Sequence, residues 1–384
     1  MQKIIQGIIF LLVTSLCWNS TGFAEFTEST TKTLPTEEFE IILIRASRNI
    51  SGDLQVFSDR NRSRQIKINY IGKAKDQTEF NWFVNLVDID IETSQDKAIV
   101  DISTPDHAPW EDIDRSMVIN LDFYLPSDKT IRVSGRFHNI LVEGPFAGLE
   151  INNDYGEVMA KSIKGKTNIR TSHKNVNLEN VDGAVNILNN HGNIRASRIN
   201  AQGNLCRFET TAGTIELDEV KGEVVAITSH NDILLNNIDA GDGKISAANN
   251  YGAIELYEVT GRIEATTKYN TIDGNGINFA PGVNEITGGF DPIDLTEVTF
   301  NKSKLSISNN FSDVSLGMDA APSVHVILAT NEGGAIYTSG LPLKPVGIER
   351  NRFEGVSGDG TSELQVNIIG IGRIEVYGES GIAY

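Results

Sequence analysis

The chain has 384 residues, with 33 Lys and Arg against 51 Asp and Glu, a formal net charge of −18 at pH 7. That balance excludes a nucleic-acid-binding protein, because phosphate contacts need clustered Lys and Arg, and it excludes docking on an anionic membrane surface. Hydrophobic residues at 40% and a mean hydropathy of −0.18 exclude both a disordered chain and a multi-span membrane protein.

Residues 1–24 read as an export signal. Lys3 supplies the positive start, Ile4 to Val13 is apolar apart from Gln6 and Gly7, and Gly22-Phe23-Ala24 places small residues at the −3 and −1 positions before Glu25. So short an apolar stretch cannot span roughly 30 Å of hydrocarbon, so cleavage is expected and not anchoring. Leu16 precedes Cys17 where a lipoprotein signal wants a small residue. No later apolar run has the length of a membrane span, so the mature chain is expected in the periplasm, on the outer surface or outside the cell. After cleavage Cys206 stands alone; it forms no internal disulfide and, on a core column derived below, is expected to be a buried structural thiol.

Residues 25–38, rich in Thr and Glu, read as a flexible linker. Residues 39–130 read as an N-terminal β region of antiparallel strands, with strand candidates at Phe83 to Ile91 and Val118 to Phe123. No 3.6-residue period stands out, and the whole chain is expected to be all-β.

From Ile131 the organisation becomes an internal repeat. Anchors at Gly135, Asn153, Thr171, Asn189, Thr210, Thr228, Asn249, Thr267, Gly288 and Asn309 are spaced by 18 or 21 residues. Five positions after each anchor the residue is always Ile or Val, from Ile140 to Val314, and two positions before it is always apolar, from Val133 to Ile307. Columns four before and seven after are mostly aliphatic, with exceptions at Thr167, Asn284 and Gly274; ten after, only Asp319 departs from Ile, Val or Pro. Offsets −4, −2 and 0 share one strand face and offsets +5 and +7 share another, so a turn between them resets the phase. A single unit cannot bury its own apolar face, whereas stacked units share a continuous core. This predicts a β-solenoid of about ten 18–21-residue rungs over residues 131–320, with the three-residue steps absorbed in turns, since a one-residue slip inside a strand would turn its core face outward. Degenerate rungs and a C-terminal cap are expected over 321–384, with Asn331 and Ile336 restoring part of the register. The Asn and Thr anchors are expected to stack as a hydrogen-bonded ladder, and Gly156, Gly192, Gly213, Gly252, Asn231 and Asn270, three positions on, to adopt left-handed backbone.

The Leu-Asp-Phe-Tyr-Leu-Pro-Ser-Asp-Lys segment at Leu121 to Lys129, the Ile131-Arg-Val-Ser-Gly segment and the repeated form at Val185 to Ala196 resemble the bacterial putative-adhesin family of β-strand-repeat envelope proteins. The resemblance covers roughly Val118 to Leu316. It implies an exported non-enzymatic adhesin or envelope scaffold whose partner is a cell-surface glycan or an envelope protein, with no cofactor and no catalytic residue to carry over.

The sharpest feature for function is the column two positions after each anchor: Phe137, Tyr155, His173, His191, Ala212, His230, Tyr251, Tyr269, Phe290 and Phe311. Nine of the ten carry rings, although Phe, Trp, Tyr and His together supply so few of the 384 residues that chance would place about one there. Stacked along a corner, such rings either seal the core or form a partly exposed platform. Tyr155, His173, His191, His230, Tyr251 and Tyr269 are the candidate binding residues on the platform reading. His173, His191 and His230, with Asp232 nearby, raise a metal or pH-sensing alternative, although three converging ligands are not assured and no metal site is assigned. Glu157, Glu216, Asp232 and Glu255 are the outward acids a carbohydrate-active β-helix enzyme would need, but they form no obvious pair on adjacent rungs. The loop Pro105 to Arg115, with Asp106, His107, Trp110, Glu111, Asp112 and Asp114, reads as solvated, as does the Asp88, Asp90 and Glu92 face. Lys164-Gly165-Lys166-Thr167 lacks the first glycine of a phosphate loop, where Ala160 stands, and is rejected.

Overall fold

Alternating branched aliphatics favour extended, half-buried backbone, and strands dominate the protein. The computed structural model describes residues 23–35, 39–59, 64–94 and 96–379. These form one hydrogen-bonded system of 29 strands, with helix confined to Gln77–Asn85 and a single 3-10 turn at Pro109–Glu111. The protein is all-β. The expected leader lies outside the described residues except for Phe23 and Ala24.

The N-terminal part comprises β1 (Ala24–Thr33), β2 (Ile41–Ala46), β3 (Ser51–Ser58), β4 (Gln65–Ala74), α1 (Gln77–Asn85), β5 (Asp88–Ser94), β6 (Lys97–Ser103) and β7 (Ser116–Leu125), followed by β8 (Thr130–Ser134) and β9 (Phe137–Phe146) of the first repeat unit. Three expectations change here. The stretch read as a flexible linker supplies β1, which pairs antiparallel with β4 from Ala24↔Ala74 to Thr33↔Gln65. The region read as antiparallel is mixed: β4 runs antiparallel to β1 and β7 and β5 runs antiparallel to β6, but β2 lies parallel to β6 and β8, and β3 parallel to β7 and β9. The strand expected from Phe83 begins instead at Asp88, because Phe80 and Phe83 are buried on one side of α1.

Beyond β8 the units pair in parallel with a displacement of 18 or 21 residues. One line of partners runs Val100, Ile44, Val133, Ile151, Ile169, Ile187, Phe208, Ala226, Ala247, Ala265, Ile286 and Ile307. A second runs Leu121, Leu54, Ile140, Val158, Val176, Ile194, Ile215, Ile233, Ile254, Ile272, Ile293 and Val314. Every one of these side chains is buried in a single continuous core. The three-residue steps, expected in turns, fall inside the long strands. The register shifts between Asn200 and Leu205 of Ile194–Glu209 and between Asp239 and Lys244 of Ile233–Ala248, at irregularities that hold the left-handed Gln202, Gly203 and Gly241. At the two ends of the +10 column the expected residues give way: Phe146 and Met318 are buried in place of the exposed Pro145 and Asp319.

The phase reset has a local cause. Ser162, Asn180, Arg198, Glu219, Asn237, Glu258 and Glu297 all have φ between 52° and 60°, and Gly276 has 70°; each stands nine positions after its anchor. One left-handed residue bends the strand so that the +7 and +10 side chains both face inward, despite the odd number of steps between them. The left-handed column is therefore at +9, and not at +3 as expected. Glycine at +3 answers a different need. A Cβ on Gly156 would stand 1.6 Å from the carbonyl oxygen of His138, and one on Gly213 would stand 2.0 Å from that of Gly192, so the corner backbones are packed too closely for a side chain.

At the C-terminal end the chain leaves sequence order. The later strands Ser362–Ile368 and Arg373–Glu379 thread back between Val324–Thr330 and Ala335–Ser339 on one side and Ser303–Asn309 and Val314–Asp319 on the other. The antiparallel strands Arg352–Ser357 and Lys344–Glu349 continue the sheet beyond Val324–Thr330. Within the region expected as an irregular cap, Ser362–Ile368 and Arg373–Glu379 continue both core lines, through Val366 to Leu328 and through Ile374 to Ile336, while Lys344–Glu349 and Arg352–Ser357 form an antiparallel pair on the edge of Val324–Thr330.

Candidate functional site

The corner between each anchor and its +5 residue exposes three or four residues, and the ring column stands at its tip. Two hydrogen-bonded systems hold the corners in step. Inside, the Asn and Thr anchors other than Thr171, whose buried Oγ1 has no partner among the described residues, donate their side chains to the carbonyl at the +3 position of the preceding unit: Asn153 Nδ2 to His138 O at 2.7 Å, Asn189 Nδ2 to Lys174 O at 2.9 Å, Thr210 Oγ1 to Gly192 O at 3.1 Å, Thr228 Oγ1 to Gly213 O at 2.9 Å, Asn249 Nδ2 to Asn231 O at 2.6 Å, and Thr267 Oγ1 to Gly252 O at 3.0 Å. Asn309 does the same to Asp291 O at 3.0 Å. The expected ladder is present, and it satisfies carbonyls that the corner itself cannot. Outside, ring-bearing residues donate their backbone N–H to the corner beneath, as Tyr155 N does to Arg136 O at 2.8 Å and Tyr269 N to Asn250 O at 2.9 Å.

On this frame the rings stack face to face. Phe137, Tyr155, His173 and His191 form one run with centroids 5.1, 4.4 and 5.1 Å apart. His230, Tyr251, Tyr269, Phe290 and Phe311 form a second, with separations of 5.4, 5.1, 5.2 and 5.2 Å and ring planes within 19° of parallel. All six candidate residues thus lie on one line. The rings lie outside the core: Tyr155 is 37% exposed, Tyr251 53% and Phe311 58%. Between the two runs stands Ala212, half-buried, and no ring joins His191 to His230. The imidazoles are fixed at one nitrogen, with His191 Nδ1 3.1 Å from Ser172 O and His230 Nδ1 3.1 Å from Thr211 O. Cations sit over some of the rings: the Arg136 guanidinium lies 5.1 Å from the Phe137 centroid and the Lys268 ammonium 5.0 Å from that of Tyr269.

The other sequence candidates scatter. Among the described residues no group of three or more His, Cys, Asp or Glu is placed to hold a metal ion. Glu157 accepts from Asn177, Glu216 pairs with Arg195, and Asp232 accepts the Ala253 N–H, each on a different unit. In the Pro105–Arg115 loop the acids are exposed, while Trp110 is buried edge-on to Phe83 at 5.6 Å, so this loop closes the core over α1. Cys206 is buried, and burial pushes its thiol pKa up, which makes it a poor nucleophile.

Sequence inspection missed His138. It is fully buried, its Nδ1 stands 3.2 Å from Gly52 O, and desolvation holds its pKa below the ordinary imidazole value, against the opposing pull of that hydrogen bond and of Asp53. Its position beside the exposed Phe137 was legible only as a corner residue.

No protein-family model and no curated relative matches the chain. Among solved structures it is similar to a putative cell adhesion protein from Clostridium sporogenes, 9% identical, covering 92% of this chain and 100% of that one at a TM-score of 0.22. It is also similar to a putative adhesin from Bacteroides fragilis, 11% identical over 91% and 97% of the two chains at 0.25, and to one from Parabacteroides distasonis, 11% identical over 91% and 97% at 0.30. Among the described residues no helix is long and apolar enough to cross a membrane.

Proposed function

We propose that this chain is an exported, non-catalytic β-solenoid of about ten rungs that serves as an adhesin or envelope scaffold, engaging a surface glycan or protein through its ring ladder. The observation that carries this reading is the exposed ladder itself. Seven stacked ring pairs lie along one corner of the protein, and contiguous exposed aromatic surface tends to mark an interaction site. The solenoid reading is supported by parallel pairing at 18 or 21 residues and by the two unbroken core lines. The non-catalytic reading is supported by three of the outward acids, Glu157, Glu216 and Asp232, which lie on separate units and are each engaged by a neighbouring Asn, Arg or backbone N–H.

The test is binding of purified protein to a glycan array and to intact cells, repeated with the Tyr251→Ala/Tyr269→Ala double variant. Loss of binding with unchanged thermal unfolding supports the platform, and binding equal to that of the parent protein overturns it. Fractionation of cells expressing the full chain, with N-terminal sequencing of the mature protein, tests export.

A further inference from the structure

The ring ladder is interrupted at one place. His191 and His230 are consecutive rings of the column, and the position between them carries only the methyl of Ala212. Units in parallel register rise by about 4.8 Å, so the two imidazoles stand two rises, roughly 9.6 Å, apart. The backbone keeps its place across the gap: Thr211 N and Ala212 N reach Asn190 O at 3.2 and 3.1 Å, and Ser229 N donates to Thr211 O at 3.2 Å. The result is an open slot, floored by Ala212 and walled by two exposed imidazoles.

We propose that this slot receives one aromatic side chain presented by a partner polypeptide; the proposal rests on the reading of the ladder as a binding surface. Two observations select this occupant. A flat ring placed midway would lie about 4.8 Å from each imidazole, within the 4.4 to 5.4 Å range of the existing pairs, and each imidazole is already held by Nδ1–H donation to a backbone carbonyl, so both walls are fixed before the ring enters. The chain's net charge of −18, with Asp232 two residues from His230, favours a partner segment in which Lys or Arg flank the aromatic residue.

The experiment is calorimetric titration of the full exported chain with the peptide acetyl-Gly-Lys-Trp-Lys-Gly-amide, with the Leu counterpart and methyl glucoside as comparators. The Trp peptide is expected to bind at least tenfold more tightly than either comparator. Ala212→Phe, which completes the ladder from within, is expected to weaken that binding at least tenfold and to raise the unfolding temperature. His230→Ala, which removes one wall at an exposed position, gives the same readout should Ala212→Phe fail to fold. No heat with the Trp peptide, equal binding of a comparator, or undiminished binding to the folded variants overturns the proposal. The cell and glycan assay on the Tyr251/Tyr269 variant reports on the ladder as a platform, and the Ala212 variant reports on the slot, so the two readings fail separately.

Discussion

Asn249 donates its side-chain amide to the carbonyl of Asn231 across 2.6 Å, at a position where both neighbouring units use threonine for the same bond. Asn and Thr are interchangeable here because each puts one donor the same short distance from the backbone, on an anchor that is itself buried. Asn249→Ala is therefore expected to destabilise the protein by about 1–3 kcal/mol, the cost of leaving a buried carbonyl unpaired, whereas Asn249→Thr is expected to cost less than 1 kcal/mol. Urea unfolding followed by circular dichroism checks both. Equal costs for Ala and Thr would remove the ladder from the account of corner stability.

The left-handed column makes the opposite kind of prediction. Glu219 has φ 54° between Arg198 and Asn237, which share its conformation. A side chain in this region costs roughly 1–2 kcal/mol relative to glycine, offset in part by the freedom glycine loses on folding. Glu219→Gly is expected to stabilise by up to about 1 kcal/mol, and Glu219→Val, β-branched at positive φ, to destabilise by more than that. The pair of midpoints in one denaturant series decides it.

His138 supplies a pH dependence. Its pKa is held below the ordinary value of 6.5 in the folded protein, so the unfolded chain takes up the proton first as pH falls. Stability is fully present above pH 6.5 and declines as pH drops through the ordinary value toward the folded one. The groups facing the ring are the Gly52 carbonyl and the Asp53 carboxylate, both on β3, which packs against β9. His138→Asn, which cannot titrate, is expected to flatten the stability profile between pH 7 and 5.5 while costing stability throughout. A wild-type profile that is already flat over that interval refutes the assignment.

The threaded C-terminal strands predict the effect of truncation. Ending the chain after Asp319 would leave Ser303–Asn309 and Val314–Asp319 as open edges, stripped of Ser362–Ile368 and Arg373–Glu379. Unpaired, flat strands recruit other chains. The truncated protein is expected to self-associate on size-exclusion chromatography at concentrations where the full chain does not.

Some of these features were legible beforehand for a simple reason. Side chains that alternate inward and outward must repeat wherever units stack in register, so Ile194, Ile215 and Ile233 declare their common line through spacing alone. The ring column and the Asn and Thr ladder were legible by the same logic. The helix α1 was missed, although its signal was present: Asp76 caps Glu79 N at 2.9 Å, Glu79 returns to Lys75 N at 2.7 Å, and Phe80 and Phe83 follow at helical spacing.

The amino-acid order by itself determined which residues face the core, how long each unit is and which positions carry rings, because periodicity is a one-dimensional property. Only the tertiary structure decided where the +9 residue turns left-handed, why glycine is needed at +3, whether the rings face solvent, and how residues 362–379 return between earlier strands. Those outcomes depend on backbone approaching backbone across a unit boundary, a distance that no single stretch of sequence encodes.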